Sequence, residues 1–230
     1  MALRHKKITP DAWNKPILIS GRETHKFGKR KGTIMFPTTH DITLSNVDQA
    51  THALLGMLDA GNRVLIVSKP RIEVIDNLTA ACFMHKDRIL FRFTIGSTNE
   101  SVLKFWEPGA PTFAHRMGSL QLAHARGFDT SVSMEPYLDD RPEEVVEAVR
   151  PFVTNAIWIG KANFLIERLK MNGEWNDFSA NEAANMAQFQ SDKNVKALYA
   201  RYKDDPKVKW KESIKKVVGI EVPTEKGLDV

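Results

Sequence analysis

The stretch RVLIVSKPRIEVIDNL, residues 63–78, contains the structural unit from which the fold of this chain is built. Its first part, RVLIVS (63–68), is apolar at most positions, which is typical of a parallel strand covered on both faces. After Lys-Pro-Arg, apolar residues recur at helical spacing as Ile72, Ile75 and Leu78. The stretch therefore predicts a strand followed by a helix that packs against it.

The same unit recurs in both directions along the chain. The other strand-like runs are TIMFP (33–37), ILFRFTI (89–95), TSVSM (130–134) and AIWIG (156–160), with amphipathic helical runs between them. The spacing of the strand centres is that of strand–helix units. The fold class is therefore α/β, either as a β/α barrel or as an open doubly wound sheet.

The last part of the chain has a different pattern. Ser179 with Glu182 predicts the start of one long helix, which carries apolar residues as far as Tyr202. VVGIEV (217–222) is interpreted as a last short strand or extended segment.

The composition is that of a globular protein. The chain has 230 residues, of which 42 % are hydrophobic and 27 % charged, enough to bury the core of one domain. Its apolar runs are of strand length, well short of the roughly 20 residues that span a bilayer. Its N-terminus lacks the apolar stretch of a secretory signal, and a single cysteine cannot form an internal disulfide. We therefore predict a cytoplasmic location and no membrane partner.

Positive charge is clustered, although the net charge is only +5. The clusters lie at residues 4–7, 26–31 and 203–216. Such clusters occur either as solvated termini and helix faces or as surfaces that follow the phosphates of nucleic acid. Nucleic acid therefore stays open as a partner, and the oligomeric state is not predicted.

Polar residues concentrate where the predicted strands end. In barrels and doubly wound sheets alike, ligands bind at the carboxyl ends of the strands. Five strand ends carry hydroxyls, carboxylates and lysines: Thr38, Thr39, His40 and Asp41; Ser68 and Lys69; Thr94, Gly96 and Ser97; Ser131, Ser133 and Glu135; Lys161 and Asn163. Such groups can hold a ribose, an amino group or a carboxylate. The sequence thus predicts a polar small-molecule site without defining a reaction.

Four segments together resemble one known family. They are IVSKPRIEVIDNL (66–78), FRFTIGSTNESVLKFWEPGAPTFAHR (91–116), LAHARGFDTSVSMEP (122–136) and AIWIGKAN (156–163). They contain, in order, a lysine at a strand end, a Ser/Thr-rich strand end, a Glu-Pro-x-Ala-Pro segment and a downstream arginine. This order is similar to that of radical S-adenosylmethionine proteins of the spore photoproduct lyase-like branch, and the resemblance covers about residues 30–165.

The resemblance implies a partial (β/α) barrel that holds S-adenosylmethionine across its strand ends, against a [4Fe–4S] cluster. In the family, three cysteines of a C-x-x-x-C-x-x-C loop after the first strand bind this cluster. Its electron cleaves the sulfonium, and the resulting 5′-deoxyadenosyl radical abstracts hydrogen from a substrate. On this basis we divide the chain into a basic N-terminal segment (1–30), a partial β/α barrel (31–170) and a C-terminal helical extension (171–230).

The chain departs from the family in its cysteines. The only one, Cys82, lies on the apolar stripe of a predicted helix, and we interpret it as a buried core residue. The predicted strands would be the second to sixth of the barrel, so we expect the first strand and the cluster loop before Met1. The chain would then be a shortened version, with a natural cluster-free relative as the alternative. Without three thiolates, it is not expected to carry out radical chemistry alone.

Several cofactor-binding residues are implied by the resemblance. Lys69 matches the lysine that meets the carboxylate of S-adenosylmethionine, and Thr38 and Thr39 match the positions near its amino group. Thr94 and Ser97 fit contacts to the ribose or the carboxylate. The alternatives are a solvated lysine, a turn stabilised by a hydroxyl, and structural hydroxyls.

The segment FWEPGAP (105–111) places Glu107 within reach of Arg116 across a proline-bounded turn. We expect Arg116 to point toward the ligand carboxylate or to be steered there by Glu107, with a purely structural pair as the alternative. Glu135 is interpreted as a ribose ligand or as a solvated side chain. Trp158 either packs in the core or stacks on a base.

Arg92 lies two residues before Thr94 in its strand, so both side chains point to the same face. If that face lines the barrel, Arg92 is buried with a partner at the site. If it faces a helix, Arg92 forms a structural ion pair.

Three functions follow from these observations. The preferred one is a radical S-adenosylmethionine protein similar to a DNA repair lyase but lacking its cluster ligands, whose enzymatic activity stays open. The alternative is a cluster-free β/α barrel that binds S-adenosylmethionine, a nucleotide or nucleic acid. The third is a conventional β/α enzyme with Glu135 and Lys69 as acid and base. The substrate is not predicted, because a fold does not define it.

Overall fold

The structure is a computed structural model, and it describes residues 27–38 and 40–222. Most of the predicted basic N-terminal segment (1–30), including its cluster at 4–7, lies outside the described residues, as does Thr39. The strands are β1 (Thr33–Phe36), β2 (Arg63–Ser68), β3 (Ile89–Thr94), β4 (Asp129–Met134), β5 (Ile157–Ile159) and β6 (Val208–Trp210). The helices are α1 (Val47–Asp59), α2 (Ile72–Ala81), α3 (Glu100–Trp106), α4 (Phe113–Ala125), α5 (Pro142–Val149), α6 (Leu165–Met171), α7 (Asp177–Phe189), α8 (Asp192–Tyr202) and α9 (Glu212–Val218), with 3₁₀ turns at Phe83–Arg88 and Arg150–Phe152.

The sheet has six strands in the order of the sequence, and every neighbouring pair is parallel. A doubly wound sheet reverses its strand order at a switch point, whereas a barrel adds each strand beside the last. The described sheet follows the barrel rule but stays open, since β1 and β6 are not neighbours in it. The prediction of an α/β fold like part of a β/α barrel is therefore confirmed.

The helices cover one face of the sheet. Val64 and Ile66 of β2 and Phe91 and Phe93 of β3 point to this face, and they join helix residues such as Leu78 in one apolar core. The strand positions between them are only half-buried. The strands were predicted to be covered on both faces. On β2 and β3 the second face is only partly covered, whereas on β4 and β5 the positions of this face are buried as well.

We call this second face the open face. Parallel register places a row of polar and apolar side chains on it: Met35, Leu65, Val67, Leu90, Arg92, Thr94, Ser131, Ser133, Trp158 and Lys209. Arg92 and Thr94 share it, as their spacing predicts. The open face is therefore mainly apolar on β1 and β2 and mainly polar from Arg92 of β3 onward.

The structure corrects the prediction for the C-terminal part of the chain. The single long helix is two helices, α7 and α8, which are separated at Gln190 and Ser191. Residues 217–222 do not form a strand. Val217 and Val218 are the last two residues of α9, and both pack against the core. The last strand is instead β6, within the segment predicted as a helical extension.

An ion pair attaches β6 to the preceding units. Arg150 and Asp205 form a short, hydrogen-bonded contact. The hydrogen bond from Arg150 lowers the pKa of the Asp205 carboxyl below its usual range. Lys207 adds a hydrogen bond from its Nζ to the Val153 carbonyl at 2.8 Å. These contacts hold the turn before β6 against the end of α5.

No helix within the described residues combines the length and apolar character needed to cross a membrane.

Gly96, just after β3, allows a close approach of two loops. A Cβ atom at this position would lie 2.8 Å from the Pro136 carbonyl oxygen and 2.9 Å from the Leu138 side chain. The Leu138 N–H also donates to the Gly96 carbonyl at 2.8 Å, so the two segments cannot separate without losing that bond.

We therefore expect Gly96→Ala to lower the free energy of unfolding by about 1–3 kcal/mol, as overpacking does in well-packed sites. Urea unfolding followed by circular dichroism measures the change. Gly28→Ala is the matched control, because nothing lies within 4 Å of a Cβ there. Equal stability of the two variants would contradict the close approach.

Candidate functional site

The carboxyl ends of β1, β2 and β3 border an open cleft of about 470 Å³. Its lining residues come from the loop after β1, the end of β2 and the α3–α4 turn: Asp41, Ile42, Thr43, Lys69, Arg71, Trp106, Glu107, Pro108, Gly109, Ala110 and Pro111. The polar loop after β1, the lysine at the end of β2 and the FWEPGAP segment thus line one cleft. We call it the cofactor cleft, after the predicted ligand.

Asp41 links the ends of β1 and β2. Its Oδ1 accepts hydrogen bonds from the Lys69 backbone N–H at 2.8 Å and from the Ser68 hydroxyl at 3.3 Å. The Ser68 hydroxyl accepts in turn from the Ile42 N–H at 3.3 Å. The sequence indicated Asp41 only as one of the polar residues at the strand ends. The structure gives it the central role in fixing the backbone from which Lys69 projects.

Lys69 lies between two carboxylates. Its Nζ is 3.8 Å from Asp41 Oδ2 and 3.7 Å from Glu107 Oε1, and its side chain is 28 % exposed. These separations are those of ion pairs without close hydrogen bonds. The ammonium group can therefore accept an additional anionic partner without first breaking a tight contact.

Arg116 is fully buried behind this cleft. Its Nε donates to the Pro111 carbonyl at 2.8 Å, and its Nη1 donates to the Thr94 carbonyl at 3.1 Å. Nη1 also lies 2.6 Å from Glu107 Oε2, although the group is not aligned as a hydrogen bond. Arg116 thus connects the end of β3 with the α3–α4 turn and holds Glu107.

The predicted pairing of Glu107 with Arg116 is present, but Arg116 is not among the residues that line the cleft. Its burial favours the structural alternative over direct contact with a ligand carboxylate. The residue that the cleft exposes for this task is Lys69.

The predicted hydroxyl residues separate into two groups. Thr38 is exposed after β1, and Thr94 projects onto the open face, half-buried. Ser97 is fully buried, and its hydroxyl donates to the Asp139 carboxylate and accepts from the Asn99 N–H at 2.8 Å. Ser97 therefore positions the start of α3, which is the structural alternative for this residue.

A second polar group lies where β5 and β6 end. Glu135 Oε2 is 3.0 Å from Lys211 Nζ, and Lys211 Nζ is 5.0 Å from the centre of the Trp158 ring. Arg92 also contacts this ring, with its Cζ 5.0 Å from the ring centre, and donates from Nε to the Ser131 hydroxyl at 3.3 Å. Both cations are within cation–π range of the tryptophan.

This second group resolves two alternatives. Trp158 is 2 % exposed, which favours the core alternative, and Arg92 and Lys211 lie against its ring. Its Nε1 is buried without a hydrogen-bond partner among the described residues. Glu135 pairs with Lys211 and not with Lys69, so the structure does not bring together the acid–base pair of the third hypothesis. Lys211 was not singled out, because it sits in a basic run far along the sequence.

Part of the basic cluster at 203–216 is neutralised by carboxylates. Lys203 lies 3.7 Å from Asp204, and Lys216 lies 2.6 Å from Glu212. Lys207 donates to backbone carbonyls. The geometry favours a solvated surface over a phosphate-binding one for this cluster.

The residues of this chain do not fit an iron–sulfur cluster. Cluster ligation needs thiolates, and Cys82 is the only cysteine in the sequence. It is fully buried in the core, where burial and then the charge of Asp59 raise its pKa to about 11. Within residues 27–38 and 40–222, no group of three or more His, Cys, Asp and Glu side chains could hold a metal ion.

The cofactor cleft does fit the amino-acid end of S-adenosylmethionine. That end carries an ammonium, a carboxylate and a sulfonium, and the cleft presents a half-exposed lysine between two carboxylates. The hydroxyls of Thr94 and Ser133 follow on the open face, in register with each other. Trp158 comes next, in register with Ser133.

Comparison with protein-family models, with curated proteins and with solved structures finds no match to this chain.

The buried guanidinium of Arg116 predicts that Glu107 contributes to the stability of the fold. Removing one partner of a buried ion pair leaves the other charge uncompensated, which costs about 3 kcal/mol or more. We expect Glu107→Gln to lower the free energy of unfolding by this amount. The double variant Glu107→Gln/Arg116→Met should lose less than the sum of the single variants. Urea unfolding of all three measures the coupling.

Glu143→Gln serves as the control, because Glu143 lies 3.8 Å from Arg201 in an exposed pair. Such pairs contribute about 1 kcal/mol or less. If Glu107→Gln proves as mild as Glu143→Gln, the Glu107–Arg116 contact is not the support that we describe.

The burial of Cys82 predicts that its thiol reacts slowly in the folded chain. A thiol with a pKa of about 11 stays protonated at mildly alkaline pH, and thiol reagents react with the thiolate. We expect the folded chain to react with 5,5′-dithiobis(2-nitrobenzoate) at least about a hundredfold more slowly than the urea-unfolded chain. Comparable rates in the two states would show that Cys82 is accessible.

Proposed function

We propose that this chain is a radical S-adenosylmethionine-type protein of the spore photoproduct lyase-like branch, and that it binds S-adenosylmethionine in the cofactor cleft. The observation that supports this is Lys69, held half-exposed between Asp41 and Glu107 at the carboxyl edge of a consecutively ordered parallel sheet. Ligands of such sheets bind at that edge.

Lys69 would pair with the carboxylate of the ligand. Asp41 and Glu107 would face its ammonium and sulfonium charges, so each of the three charged side chains would meet a ligand group of opposite sign. The anionic side chains are already fixed, Asp41 by the Lys69 N–H and the Ser68 hydroxyl and Glu107 by Arg116. The site therefore requires little reorganisation on binding.

The nucleoside would extend along the open face. Thr94 and Ser133 offer hydroxyls to the ribose, and Glu135 lies beyond them at the end of β4. Trp158 lies further along this face, with its ring buried against Arg92 and Lys211. Thr38 and Thr39 stay predictions for the methionine amino group, because the structure shows no contact of Thr38 and does not describe Thr39.

In its family, a [4Fe–4S] cluster supplies the electron that cleaves S-adenosylmethionine. Because the residues of this chain do not fit that cluster, we propose ligand binding without radical chemistry for the chain by itself. A nucleotide or nucleic acid is the competing ligand class, and the partly neutralised cluster at 203–216 gives it less support.

Isothermal titration of the chain with S-adenosylmethionine tests the proposal. We expect binding at one site, weakened about tenfold or more in Lys69→Met through loss of the charge-assisted contact. Lys203→Met is the matched control, since Lys203 is an exposed lysine paired only with its neighbour. Absence of binding, equal loss in both variants, or tighter and salt-dependent binding of single-stranded DNA would each reject the proposal.

The absence of radical chemistry has its own test. After anaerobic incubation with iron and sulfide and removal of the excess, we expect no stoichiometric [4Fe–4S] absorbance, because only one cysteine is encoded. A stoichiometric cluster on this chain would show that other ligands replace the missing thiolates.

A further inference from the structure

A second and larger cleft, of about 680 Å³, lies on the other side of Trp106 from the cofactor cleft. Its volume is within the range of about 300–1,000 Å³ that is typical of small-molecule sites. Helix α3 forms one wall, and α7 with the start of α8 forms the other. We call it the aromatic cleft. None of the residues proposed to contact S-adenosylmethionine lines it.

Aromatic rings form much of its wall. Phe105 packs edge-on against Phe178, with ring centres 5.2 Å apart, and against Trp106 at 4.7 Å. Phe178 is 64 % exposed although it is large and apolar. Phe178, Phe105 and Trp106 are contiguous in this cleft, and contiguous exposed apolar surface can mark a ligand-binding groove.

The charged residues of the aromatic cleft are all acidic. Asp139, Asp140 and Glu182 line it, and none of its described lining residues is Lys or Arg, although the chain as a whole carries +5. The charge of the cleft is thus opposite to that of the protein. Such a local field attracts cations.

The three acids differ in what they already bind. Asp139 accepts hydrogen bonds from Ser97 and from the Arg141 N–H at 3.0 Å, and Asp140 lies 4.0 Å from the Arg141 side chain. Glu182 is half-buried and pairs with no basic side chain in the part of the chain that the structure describes. Its carboxylate is therefore the group best placed to compensate a bound cation.

We propose that the aromatic cleft binds a small aliphatic polyamine, with an ammonium group against the Phe105 and Phe178 rings and the Glu182 carboxylate. Aromatic faces and a carboxylate together bind ammonium groups through cation–π attraction and charge pairing. The amide side chains of Asn185 and Gln188 add hydrogen-bond acceptors at the mouth of the cleft. This site is independent of the proposed function, because it uses none of its residues.

Spermidine is the probe, and isothermal titration at moderate and raised salt is the measurement. We expect one site on the full chain, weakened about fivefold or more in Phe178→Ala and in Glu182→Gln, which remove the ring and the charge separately. Phe164→Ala is the matched control for the ring, because Phe164 is 72 % exposed and lies outside the cleft. Glu167→Gln is the control for the charge and lies on α6.

Each outcome decides the proposal. It is supported if both cleft variants bind more weakly and both controls bind as the wild type does, with unchanged circular dichroism spectra. No binding by the wild type, or weakening in Glu182→Gln without any in Phe178→Ala, would overturn it in favour of general attraction to surface acids. The result does not depend on S-adenosylmethionine, since a failure to bind that ligand leaves the spermidine titration unchanged.

Discussion

A fully buried guanidinium organises the carboxyl edge of this sheet. The charge of Arg116 would be very costly in the core without partners, so its donors must find acceptors. Two backbone carbonyls accept hydrogen bonds from Nε and Nη1, and the Glu107 carboxylate compensates the charge, whereas Nη2 has no hydrogen-bond partner among the described residues. The turn that supplies two of these groups contains two prolines and a glycine, which limit its conformations. The dense FWEPGAP connector is thus explained by the charge that it has to compensate.

The buried charge of Arg116 also determines where the side chains of the cleft lie. Because Glu107 is held by Arg116, its second oxygen lies at a fixed place 3.7 Å from Lys69. Asp41 fixes Lys69 from the other side through its backbone N–H. Lys69 and Arg116 balance Asp41 and Glu107 in this arrangement, and of these two cations only Lys69 reaches the cleft, where Arg71 is a further cation in the lining. The buried arginine thus positions Glu107, while the lysine is the side chain left partly exposed in the cleft.

Much of the sheet and part of the cleft can be predicted from the sequence, because both depend on short-range sequence patterns. The first five strands and the pairing of Glu107 with Arg116 follow from apolar periodicity and from a short proline-bounded turn. Strand β6 could not be found in this way, since it is three residues long and lies within a lysine-rich run. The roles of Ser97 and Lys211 depend on contacts with residues distant in sequence, which a pattern search along the chain does not detect.

The missed strand also changes how the C-terminal part of the chain should be understood. Lys211 follows β6 directly, and the Lys211–Glu135 pair brings β6 to the end of β4 across β5. Lys211 and Glu135 can come together only because Gly160 lies between them, just after β5. A Cβ at this position would lie 3.0 Å from the Lys211 side chain and 3.3 Å from the Glu135 side chain. Any larger residue would push the ion pair away from the Trp158 ring. The segment after residue 170 is therefore part of the open face, and the Glu135–Lys211 pair beside Trp158 cannot form without it.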